Sequence, residues 1–214
     1  MIIKAVAFDM DGLMFDTEDT YHKAAEMLLG RRGKVYTNEL CDATIGRPPS
    51  VTFELFKETF GFSESWQELQ TESEDIFLEL LDEGYSTMPG LYELLEHLEQ
   101  RNVPKGICTS SVPRIVSEVL RRKDMARRFE FVLTAGDITQ GKPAPEIYLK
   151  AATRFGIVPS EMLVLEDSVP GCQAAQSAGA YGIAVRARHN AHCVFDAAKV
   201  VVSRLDDPQV MELF

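Results

Sequence analysis

Cysteine is scarce. Cys41, Cys108, Cys172 and Cys193 are the only four, far apart and in no C-x-x-C pair. In a chain of 214 residues they argue against a disulfide scaffold and for reduced thiols in the cytoplasm. Long hydrophobic runs are missing too, none approaching the ~18 residues of a membrane span. The opening Met1-Ile-Ile-Lys4 lacks a basic segment followed by an apolar one, so no signal peptide and no membrane partner are expected. Positive charge is in deficit: 22 Lys+Arg stand against 33 Asp+Glu, a net −11. That balance argues against nucleic acid or an anionic membrane as partner. It leaves small anionic substrates open, because a local site can oppose the global field. No internal repeat and no low-complexity segment is found. What remains is a globular composition, 45% hydrophobic and 26% charged, long enough for one large domain or two small ones.

Short apolar runs mark candidate strands at 2–8, 103–109, 130–135, 162–166 and 181–185, with a shorter sixth at 200–202. Helical periodicity lies between them. Leu91, Leu94, Leu95 and Leu98 share a face, as do Ile115, Val116, Val119 and Leu120, and Ile147, Ala151 and Phe155. Pro170 to Ala178 is rich in small residues and is closed by Gly179. Strand and helix in alternation predict an α/β fold, a Rossmann-like parallel sheet with crossover helices on both faces. The rhythm breaks between Asp16 and Tyr85, where no strand is legible. Tyr21 to Leu29, Phe53 to Phe60, and a run from Trp66 to Leu80 predict three amphipathic helices. An inserted all-helical domain over 17–86 is therefore expected, with the core made of 1–16 and 87–214.

Chemistry-bearing residues gather where these strands end. Asp9-Met-Asp11-Gly12 follows the first strand, Thr109-Ser-Ser111 the second, Gly141-Lys-Pro143 the third and Glu166-Asp-Ser168 the fourth. Each alone reads equally well as a turn or a helix cap. Carboxylates two apart on extended chain point to opposite sides, so Asp9 and Asp11 reach one ligand only if the chain turns between them. Together, hydroxyls, a lysine and two acidic clusters at one sheet edge are the parts that phosphoryl transfer needs. A third cluster, His189-Asn-Ala-His192-Cys193, has a spacing that fits no common zinc site and reads as a surface loop.

Phe8-Asp-Met-Asp-Gly-Leu-Met-Phe-Asp-Thr17, Thr109, Gly141-Lys-Pro-Ala-Pro-Glu-Ile-Tyr148 and Glu166-Asp-Ser-x-x-Gly-x-x-Ala-Ala175 resemble, in order and spacing, the four motifs of the haloacid dehalogenase superfamily. The insert resembles the α-helical cap of the β-phosphoglucomutase and phosphoglycolate phosphatase branch. Met88-Pro-Gly90 adds some likeness to the pseudouridine-5′-phosphatases. The resemblance implies a Mg²⁺-dependent phosphatase. Asp9 would be the nucleophile that forms an aspartyl-phosphate, and Asp11 the general acid and base. Thr109 and the N–H groups of Met10 and Ser110 would hold phosphoryl oxygens, and Lys142 would supply counter-charge. Mg²⁺ would sit on the carboxylates of Asp9 and Asp167 and the main-chain carbonyl of Asp11, with Glu166 acting from behind through metal-bound water.

The expected substrate is a small phosphorylated metabolite, of sugar-phosphate or nucleotide type, and the expected state a monomer or weak homodimer. Thr17, His22 and Arg47 are the candidates for substrate contact from the cap or hinge. Thr17 also reads as the cap of the first inserted helix, and His22 as packing beside Tyr21. A sugar phosphomutase is the alternative activity, but Pro49 and Val112-Pro113 stand where the β-phosphoglucomutase pattern has Arg and Lys-Asn. Carbon–halogen cleavage needs neither Asp11 nor Asp167. A non-catalytic binding protein on the same fold would have been free to lose Asp9, Lys142 or Asp167.

Overall fold

The computed structural model describes residues 2–44 and 48–214. Six parallel strands form one sheet in the order β3-β2-β1-β4-β5-β6. They are β1 (Ala5–Phe8), β2 (Lys105–Cys108), β3 (Phe131–Leu133), β4 (Met162–Glu166), β5 (Tyr181–Val185) and β6 (Val200–Val202). Every residue of β1, β2 and β4 is buried, as central strands covered on both faces must be. The three earlier strands are shorter than their apolar runs. Pairing with β4 begins only at Ala5, opposite Met162, and Pro104 offers β1 a carbonyl but has no N–H for a ladder.

The connections carry α5 (Leu91–Gln100), α6 (Pro113–Arg122), α7 (Glu146–Phe155) and α8 (Val169–Ala178), and α9 (Pro208–Met211) follows the last strand. The leucine face of α5 is wholly buried. In α8, small residues permit close approach to the sheet, and a Cβ on Gly182 would already stand 3.4 Å from that of Ala175. Ser168 caps α8 by accepting from Gly171 N at 3.0 Å. The chain runs outward from β1 to β2 and β3, then returns to lay β4 on the other side of β1. The β1/β4 boundary is thus the topological switch point, and the carboxyl ends of its strands are where such sheets bind ligands.

The chain divides into two compact units, 1–16 with 86–214, and 17–85. Ser86 falls with the sheet, one residue earlier than the sequence suggests, because its carbonyl accepts from Asp16 N at 3.0 Å while Phe15 bridges to Thr87. The second unit holds α1 (Glu18–Gly30), α2 (Asn38–Thr44), α3 (Pro49–Phe60) and α4 (Trp66–Leu80), followed by a 3₁₀ turn at Leu81–Glu83. Three of these helices follow the apolar periodicity. The fourth, α2, was not legible: in its seven residues Leu40 is the large apolar side chain, too little for a pattern. Leu28, Leu29, Phe56, Leu69, Ile76 and Phe77 build this unit's own core. A capping box fixes the start of α4, with Ser65 and Glu68 exchanging side-chain-to-backbone bonds. No helix among the described residues is long and apolar enough to cross a membrane.

Candidate active site

Four loops converge at the carboxyl edge of the sheet. β1 ends by passing Asp9 N to Leu165 O at 3.0 Å, which pins the Asp9 backbone between β1 and β4. The chain then turns. Met14 N and Phe15 N both donate to Met10 O, Gly12 N donates to Phe15 O, and Gly12 takes a left-handed φ of 75°. The turn carries Asp11 across to the loop after β2, where its Oδ2 accepts from Ser111 Oγ at 2.6 Å and, more weakly, from Thr109 Oγ1 at 3.4 Å. Thr109 Oγ1 in turn accepts from Ser111 N at 3.0 Å.

Lys142 is the hub of the other side. Its Nζ donates to Asp9 Oδ1 at 2.5 Å, to Glu166 Oε1 at 2.6 Å and to Cys108 O at 3.0 Å. All three protons of the ammonium are used, and the side chain is buried. Glu166 is saturated as well. Its Oε1 also accepts from Tyr148 Oη at 2.5 Å, and its Oε2 accepts from Asp167 N, Ser168 N and Ser168 Oγ. A Cβ on Gly171 would fall 1.9 Å from this carboxylate, so only glycine fits there.

Asp9, Glu166 and Asp167 offer carboxylate oxygens within 4.8 Å of one another. Burial pushes the carboxyls of Asp9 and Asp167 well above the ordinary range, and the neighbouring carboxylates add to the rise. Lys142 opposes that rise in both. For Lys142, burial works to lower the pKa, but Asp9 and Glu166 outweigh it and the ammonium is held in its charged form. Tyr148 is driven up by burial and then by Glu166, so its phenol stays a donor. Three buried carboxylates thus face one ammonium. An all-oxygen cluster with that excess of negative charge suits a hard divalent cation such as Mg²⁺. With five donors already on Glu166, Asp9 and Asp167 are the carboxylates open to such an ion.

Residues 6–185 match the haloacid dehalogenase-like hydrolase family. The chain belongs to that family. A "Phosphorylated carbohydrates phosphatase" of Thermotoga maritima is 32% identical over 212 residues, covering 96% of each chain. A Drosophila melanogaster protein named "Probable pseudouridine-5′-phosphatase" is 36% identical over 178 residues, covering 80% of this chain and 77% of its own. With these relatives the chain falls among the family's phosphatases. The β-phosphoglucomutase of Clostridium difficile superposes with a TM-score of 0.83 over 99% of this chain and 97% of its own, at 24% identity, a likeness of fold.

Within this haloacid dehalogenase-like core, the structure draws Asp9, Asp11, Thr109, Lys142, Glu166 and Asp167 to one edge. The Met10 side chain points into the core, fully buried, and Ser110 lies half-buried in the loop after β2. The other candidates fare differently. Thr17 stands at the N-cap position of α1, but its side chain makes no cap bond. His22 packs on Tyr36, ring centres 5.1 Å apart, while Tyr21 packs on Phe77 instead. Arg47 lies outside the described residues. Three pairings were not read from sequence: Ser111 on Asp11, Tyr148 on Glu166, and His189, taken there only as part of a surface loop, on Asp167. Ser111 and Tyr148 stand inside the motif stretches themselves, so the signal was present without a role attached. His189 Nε2 lies 2.6 Å from Asp167 Oδ2, across a whole helix and strand of intervening chain.

Proposed function

We propose that this phosphatase hydrolyses phosphate monoesters of small metabolites, of sugar-phosphate or nucleotide type, by covalent catalysis at Asp9. The observation that carries the reading is Lys142 Nζ held between Asp9 Oδ1 and Glu166 Oε1 beside Asp167, with Asp11 poised opposite on Ser111 and Thr109. The names of the relatives supply the substrate class: carbohydrate phosphates in one and a nucleoside phosphate in the other.

Asp9 attacks phosphorus, and the bond from phosphorus to the ester oxygen breaks as the aspartyl-phosphate forms. Asp11 gives its proton to the departing oxygen. A water then attacks the same phosphorus and loses its proton to Asp11, and the bond to Asp9 breaks to release inorganic phosphate. Lys142 orients Asp9 and keeps positive charge beside the transferring group. Thr109 and the N–H groups of Met10 and Ser110 hold the phosphoryl oxygens. Glu166, saturated by its donors, positions Lys142. Asp9, Asp167 and the main-chain carbonyl of Asp11 would hold Mg²⁺, which when bound supplies the charge that lets a carboxylate meet an anionic phosphate.

The test is phosphate release from a panel of phosphorylated metabolites, with and without Mg²⁺. Fast release from one class, abolished by chelation and restored by Mg²⁺, is expected. Bisphosphate-dependent isomerisation without phosphate release would replace the hydrolase by a mutase. Release that persists after thorough chelation would rule out the cation.

A further inference from the structure

His189 is the third partner that the proposed chemistry leaves unused. It comes from the loop between β5 and β6, twenty-two positions beyond Asp167. Its Nε2 lies 2.6 Å from Asp167 Oδ2, and both side chains are largely withdrawn from solvent. The contact is built from three sides. Asn190, itself buried, donates through Nδ2 to Asp167 O at 2.8 Å and to Val185 O at 3.0 Å. Its Oδ1 accepts from Ala187 N at 2.7 Å, which folds the loop back on itself. From the β1 side, Gly12 leaves the space open: a Cβ there would fall 2.2 Å from Asp167 Oδ2 and 2.9 Å from His189 Nε2. Gly12, the Asp167 carboxylate and the His189 ring therefore meet at one point, with the Asn190 side chain tying the loop to the main-chain carbonyl of Asp167.

We infer that His189 is a positioning residue for the cation site: by donating from Nε2 to Asp167 Oδ2 it fixes that carboxylate so that Oδ1 is presented to the ion. The inference rests on the cation reading above. The carboxylate of an aspartate, carried on two side-chain torsions, is free to swing. Tying one oxygen to the ring of a loop that Asn190 anchors restricts that freedom before the ion arrives, and outer partners of this kind are typically worth about 10–100-fold in metal affinity. The neighbouring His192 and Cys193 do not join the cluster; Cys193 Sγ lies 3.7 Å from His192 Nε2.

The experiment measures Mg²⁺ affinity by calorimetry on the whole, chelator-stripped protein, for wild type, His189→Ala, His189→Asn and His189→Gln. Thermal melts run alongside confirm that each variant is folded. Alanine and the short asparagine should weaken Mg²⁺ binding about 10–100-fold. Glutamine, which keeps an N–H donor on a longer stem, should recover most of the loss. Turnover of the alanine variant should return at high Mg²⁺ with the substrate KM unmoved. Mn²⁺ bound to the wild type should show no nitrogen coupling by electron paramagnetic resonance. Alanine and asparagine variants that bind Mg²⁺ within about twofold of wild type would overturn the inference. Nitrogen coupling would overturn it too, by making His189 a direct ligand. A wild type that binds neither ion would instead remove the cation reading itself. That result is separate from any difference among the variants.

Discussion

The sheet unit and the helical unit satisfy their polar groups in opposite ways. At the strand ends of the sheet unit the charged groups are buried and interlocked: Lys142 serves Asp9, Glu166 and Cys108 O, Glu166 takes five donors, and Asp167 is held by His189 and Asn190. In the helical unit the core is aromatic and aliphatic, and the charges are left at the surface. There Arg32 joins Glu64 and Glu72, at 3.0 and 2.6 Å, in a partly exposed network. Buried charges are costly unless every partner is in place, whereas exposed pairs contribute little. The difference teaches where geometry is held to fractions of an ångström. It is held at the strand ends of the sheet unit, where bonds must be made and broken.

That contrast can be broken or sharpened by substitution. Among substitutions that spare the nucleophile, the largest effect is expected at Asp11, whose carboxylate accepts from the hydroxyls of Ser111 and Thr109. Asp11→Asn should keep the fold and lower phosphate release by about 10²–10⁴-fold, the usual worth of a general acid–base group; steady-state kinetics beside a circular dichroism spectrum checks both halves. Next comes Gly171→Ala. Its methyl would collide with the Glu166 carboxylate, so urea unfolding should show a loss of about 3 kcal/mol, at the upper end for overpacking. A loss under about 0.5 kcal/mol would show the cluster to be softer than a buried charged network allows.

Tyr148→Phe is milder. It removes one of two donors to Glu166 Oε1 and leaves Lys142 in place, so a stability loss of about 1.5 kcal/mol is expected, with turnover reduced as Glu166 loses its hold. Unchanged stability and turnover would show that the phenol only fills space. The smallest effect belongs to the helical unit. Ser65→Ala removes the capping box of α4 and should cost about 1 kcal/mol in denaturant melts while phosphate release stays at the wild-type rate. A fall in turnover comparable to that of Asp11→Asn would dissolve the division of labour between the units.

Much of the sheet unit was legible because its signals are local. Met162–Glu166, Tyr181–Val185 and Val200–Val202 are bounded in the structure as their apolar runs suggest. The four strand-end motifs likewise carry their chemistry within a few residues each. Where reading failed, the missing information was not local. The seven residues of α2 hold too few apolar side chains to show a period. Thr17 sits at the N-cap as its residue type suggests, yet its φ and ψ of −105° and −6° are not those of an extended N-cap, and the side chain makes no cap bond. Tyr36, rather than Tyr21, meets His22 because Tyr21 is taken up by Phe77 of α4 while the loop after α1 brings Tyr36 onto His22. His189 and Asn190 reach Asp167 only after α8 and β5 have been laid down, and no spacing rule joins them beforehand. The stretch 189–193 is a loop as expected, but Asn190 is buried beneath Asp167, not on the surface.

The most direct measurement is the mass of the protein quenched in acid during turnover of an active substrate. One added phosphoryl group should appear, located by peptide mapping to Asp9, and it should be absent from Asp9→Asn together with all phosphate release. Steady release of phosphate by Asp9→Asn, or a phosphoryl group mapped to any other residue, would contradict covalent catalysis at Asp9.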